Sequence, residues 1–166
     1  MGGRPLNSVW QLPAVRAVYA LYGAAGDQAR LIFVGFAESL LERTLEQLVV
    51  PNLRYRSPSA TLFMQPGYVR ELRWWEHPRL AAADALRAGE FVASELLHPL
   101  LSSRQPSSAN ARTLSTDERF REEMRALFLG EPSGSLILPT LDDLLERLRR
   151  IEGLLGSKEA PTDAPR

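Results

Sequence analysis

The stretch FVGFAESLLERTL (33–45) ends a buried-looking strand in Gly35 and passes into a helix that carries Arg43. Strand, glycine and helix-borne arginine are the parts of a phosphate-handling site, because a planar guanidinium suits the geometry of phosphate oxygens. Phe33 and Phe36 stand where such a site would prefer polar groups. Two further stretches, RYR at 54–56 and RELRWW at 70–75, interleave arginine with aromatic residues. That combination holds phosphates and stacks on bases, which makes Arg54, Arg56, Arg70 and Arg73 candidate nucleic-acid contacts. The same pattern also describes a half-buried strand that shows Arg outward and packs Trp inward.

The chain-wide totals limit what these residues could serve. At 166 residues the chain is one domain's worth and can bury a real core. Apolar residues are 45% and charged residues 24%, ordinary globular composition. Basic and acidic residues balance at 20 each, so no global field steers the molecule to nucleic acid and any basic patch must be local. There is no cysteine, which excludes disulfides, thiol catalysis and thiolate metal sites. His77 and His98 are too few for a histidine metal cage. No apolar run reaches transmembrane length and the N-terminus lacks a signal-peptide pattern, so the expected location is the cytoplasm, away from membranes.

The elements that must position the candidates follow from pattern. AVRAVYALYG (14–23) and ARLIFVG (29–35) read as two strands joined by GAAGDQ, an antiparallel pair. A helix follows from about Glu38 to Val50, with Leu40, Leu41, Thr44, Leu45 and Leu48 on one face and Pro51 as its stop. After a proline-broken connection at 51–67, YVRELRWW (68–75) is a third strand, and residues 77–101 hold one long helical region ended by Pro99. SSRQPSSANART (102–113) has linker composition. Ser115 with Glu118 has capping-box spacing and opens a helix to about Leu129, and Thr140 caps a last helix to Leu155. Trp74 and Trp75 point to opposite faces of their strand, so another element must cover one of them, and the C-terminal helices are the candidates. The expected class is α+β, a small three-stranded antiparallel or mixed sheet with flanking helices.

The β-β-α-β-α order with AVY in the first strand, FVG ending the second and an arginine in the next helix resembles the GIY-YIG nuclease domain. Tyr19 matches the tyrosine of the first motif and Gly35 the glycine of the second. Arg43, eight residues on, falls where that family carries its catalytic arginine. Glu90, nine residues before Pro99 in EFVASELLHP, looks like the family's metal-binding glutamate. The resemblance covers a domain at 12–104. A linker at 105–114, a two-helix extension at 115–156 and a disordered tail at 157–166 complete the expected organisation.

The resemblance implies metal-dependent hydrolysis of phosphodiester bonds in DNA. Glu90 would hold Mg²⁺ or another divalent cation, Arg43 would clamp the scissile phosphate, and Tyr19 would position or deprotonate the attacking water. The chain departs from the pattern in Phe33 for the second motif's tyrosine, Phe36 after the glycine, Ala17 for the first motif's glycine and Ser102 for the asparagine after the closing proline. It therefore resembles a diverged member. The rival readings are a non-catalytic interaction module on the same fold and nucleic-acid binding without cleavage. Glu90 could also be the solvent face of its helix, Arg43 could pair with Glu42 or Glu46, and Tyr19 could be a core tyrosine. The last helix carries Leu141, Leu144, Leu148, Ile151 and Leu155 at heptad spacing, which packs on the domain or forms a homodimer seam.

Overall fold

A computed structural model describes residues 8–25, 28–49, 69–101, 105–139 and 141–156. Strands β1 (Ala17–Ala25) and β2 (Gln28–Ala37) pair antiparallel, with a register shift between Leu21 and Tyr22. β1 takes β3 (Val69–Trp75) on its other side, also antiparallel. A fourth strand, β4 (Gly134–Ile137), pairs antiparallel with β3, giving the order β2-β1-β3-β4. The protein is α+β with a four-stranded antiparallel sheet, one strand more than the sequence pattern shows. Four residues drawn from GSLI are too few to display a period-two alternation.

Alternation along β1 sends its side chains into two separate cores. Val18 and Ala20 join Val34 and Trp75 on one face, under helix α2 (Ala83–Leu97) and helix α4 (Glu118–Leu129). Leu86, Val92, Phe120, Met124 and Phe128 fill that layer, and burying each large apolar side chain contributes about 1.5–3 kcal/mol. The other face gathers Tyr19, Leu21, Leu72 and Trp74 with Leu12, Leu136 and Leu40 of helix α1 (Leu40–Thr44). Both tryptophans are therefore covered. Trp75 meets the edge of Phe128 from α4 at 5.8 Å between ring centroids. Trp74 lies over Gly134 of β4, where an added Cβ would come within 2.3 Å of the indole.

Chain organisation differs from the expected division after residue 104. Residues Ala109–Thr116, partly inside the stretch read as linker, form helix α3, capped by Ser108 and docked through the buried Ala111. Helix α4 begins at Glu118 with Asp117 as its cap, its carboxylate accepting from Phe120 N at 2.7 Å. Asp117 has displaced the expected Ser115, which is buried and donates instead to the Arg112 carbonyl. Residues 115–137 thus supply core side chains and a strand to the same sheet rather than an appended helix pair. Helix α5 (Leu141–Gly156) leaves Leu145, Leu148 and Ile151 about half exposed at 41%, 55% and 52%. The expected cap Thr140, the stop Pro51 and the tail at 157–166 lie outside the described residues.

Candidate functional site

Tyr19 is placed directly opposite Gly35 in the β1–β2 register. A Cβ at Gly35 would stand 2.6 Å from Phe33 Cε1 and 2.7 Å from the Tyr19 oxygen. Gly35, expected to end its strand, instead lies within β2, which runs on to Ala37, and it makes room for the tyrosine ring. Only 1% of Tyr19 is exposed, and Phe33 packs tilted against it at 6.1 Å.

Helix α1 is followed at Leu45–Val49 by a turn of π-helix, a local widening frequent at functional positions. Gln47 lies in that turn, and its Oε1 accepts the Tyr19 hydroxyl at 2.7 Å. Arg43 reaches the same hydroxyl, both as a charge and as a hydrogen-bond partner. Burial dominates nonetheless and pushes the Tyr19 phenol up to about 12, against the opposing pull of Arg43 and Gln47. A phenol this weakly acidic stays protonated at neutral pH and is a poor base. Arg43 also faces Glu46 at 3.7 Å, and its Nε is buried without an acceptor.

Glu90 comes from α2 and is half-buried. Burial pushes its carboxyl up to about 7, and the charges of Arg43 and Arg87 oppose that rise. Arg87 sits one turn before Glu90, spreads over the Phe36 ring at 5.7 Å and faces Asp84 at 3.7 Å. Tyr19, Arg43 and Glu90, taken from three elements, thus act on one another electrostatically. Gln47 and Arg87 complete the cluster. Both were absent from the sequence reading, and the only signal for them was helical spacing, Gln47 four residues after Arg43 and Arg87 three before Glu90.

Of the second candidate group, Arg70 and Arg73 lie among the described residues. Arg73 forks onto Glu71 at 2.8 and 2.9 Å and lies 4.5 Å above the Tyr22 ring, so its guanidinium is committed within the sheet. Arg70 is exposed, while Arg54 and Arg56 lie outside the described residues. His77 caps the short turn Pro78–Ala81, and His98 closes α2 in the left-handed conformation at φ 51°.

The described donors around Glu90 do not by themselves fit a divalent cation. Glu90 is a single carboxyl facing two guanidinium groups, and no group of three or more His, Asp or Glu among the described residues could hold a metal ion. A hard cation calls for more oxygen and less positive charge than this.

Fold and site together define an α+β protein with a four-stranded antiparallel sheet and a Tyr-Arg-Glu cluster at the junction of β1, α1 and α2. No helix among the described residues is long and apolar enough to cross a membrane. No family model, no curated protein and no solved structure matches the chain.

Proposed function

We propose that this chain is a nucleic-acid-binding protein of GIY-YIG-like fold that grips a backbone phosphodiester with Arg43 and Arg87. One observation carries the reading: two guanidinium groups from different helices act on a single half-buried point, Glu90. Arginine forks are suited to phosphate oxygens, and the neighbouring Phe36 lowers the competing hydration. Binding of a single-stranded oligonucleotide should weaken steeply with salt, and Arg43→Ala should flatten that slope by roughly one phosphate contact.

Phosphodiester hydrolysis is the second reading, favoured by the convergence of Tyr19, Arg43 and Glu90. Against it stand the burial of Tyr19 and the commitment of its hydroxyl proton to Gln47. Incubating supercoiled DNA with Mg²⁺ or Mn²⁺ decides between them: strand cleavage that disappears in Glu90→Ala would make the chain an endonuclease, and intact DNA with retained binding supports the non-catalytic reading.

A further inference from the structure

We propose that helix α5 is the seam of a homodimer, in which the stripe of Leu145, Leu148 and Ile151 in one copy packs antiparallel against the same stripe of a second copy.

Every side chain from Leu145 to Glu152 is exposed, more than two turns of α5 that the other described residues leave uncovered. Docking on the domain, the alternative that the leucine spacing leaves open, would have covered the stripe. At about 100° per residue, Leu145, Leu148 and Ile151 share one face of the helix. Glu146 and Arg150 take the opposite face, where they stand 3.8 Å apart. A helix of 16 residues is marginal in water by itself, so an apolar face left open on it gains from a partner.

Charge selects a second copy as that partner and sets its direction. Residues 141–146 carry three carboxylates and no cation, whereas residues 147–152 carry three arginines and one glutamate. An antiparallel copy lays the acidic half of each helix along the basic half of the other and opposes their dipoles. A parallel copy would set like halves side by side. With Leu148 of one copy against the partner's Ile151, helical rise and rotation bring Glu152 beside the partner's Arg149. The two-fold axis makes that contact twice.

Sedimentation velocity of the full chain over a concentration series tests the seam. Wild type should move from one chain mass toward two as concentration rises. Leu148→Glu sets two charges into the middle of the stripe and should weaken association about a hundredfold. Arg149→Glu should weaken it about tenfold, and adding Glu152→Arg should restore it. The chain has no cysteine, so introduced ones report direction. Oxidising a mixture of Leu148→Cys and Ile151→Cys chains should link more dimer than either variant alone. All four positions are exposed, and thermal melts of the dilute variants should match wild type. A wild type monomeric to roughly 100 µM, or a dimer indifferent to Leu148→Glu, would overturn the proposal. Failure of the charge swap to restore association, or equal linking by each cysteine variant alone, would overturn the antiparallel seam.

Discussion

The ring of Tyr19 occupies the space that a side chain at Gly35 would need, with the tyrosine oxygen 2.7 Å and Cζ 2.8 Å from the position of that Cβ. Tyr19 has nowhere to retreat, because it is buried and its hydroxyl is fixed by Gln47. Gly35→Ala should therefore destabilise the protein by about 1–3 kcal/mol, the usual cost of overpacking a filled core. Urea denaturation measures this. An unchanged midpoint would mean that the ring moves freely.

The Tyr19–Gln47 hydrogen bond joins the sheet to the π-helical turn. Gln47→Leu leaves a buried phenol without an acceptor for its proton, which should cost about 1–3 kcal/mol. Tyr19→Phe in the Gln47→Leu background should recover part of that loss, since both partners are then apolar. A double-mutant cycle in urea gives the coupling, and a coupling near zero would remove this bond from the site's framework.

Stability should also depend on pH through Glu90. Its carboxyl rises from 4.5 to about 7 on folding, chiefly through burial. Between those values the unfolded chain has released a proton that the folded protein still holds. Stability is therefore greatest below this window and falls as pH rises through it, by about 2 kcal/mol after allowance for partial exposure. Glu90→Gln should remove that slope and be the more stable protein at pH near 8. Melting temperatures across this window, with identical slopes for both proteins, would exclude a raised Glu90.

On the same face of the sheet as Tyr19, Trp74 lies over Gly134, with its Nε1 donating to Glu76 at 3.0 Å. Gly134→Val should push β4 off the sheet edge, costing about 1–3 kcal/mol. The change should appear as loss of hydrogen-exchange protection at Leu138, whose amide donates to the Arg70 carbonyl at 2.8 Å. Retained protection there would show that β4 docks without this contact.

Much of this was legible because one physical pattern dominates each element. β-Branched and aromatic residues mark β1, β2 and β3, and the leucine spacing at 40–48 marks α1, although its last turn is π rather than α. Opposite-facing Trp74 and Trp75 required two covers, and both exist, one from α4 as expected and one from the unexpected β4. Helix α3 escaped notice because its small polar residues resemble a linker, although the Ser108 cap, the seat of Ala111, the packing of Leu114 and the Asn110–Asp84 hydrogen bond hold it. In the site, Tyr19, Arg43 and Glu90 were readable as ordered anchors. Gln47 and Arg87 were not, since a polar residue on an amphipathic helix looks like solvent face until the tertiary fold turns it inward.

The most direct measurement is oligonucleotide affinity as a function of salt in the presence of EDTA, comparing wild type with Arg43→Ala and Arg87→Ala. The account predicts metal-independent binding in wild type that weakens with salt, and a shallower salt dependence in each variant by about one counterion. Binding that requires Mg²⁺, or that is indifferent to both arginines, would contradict it.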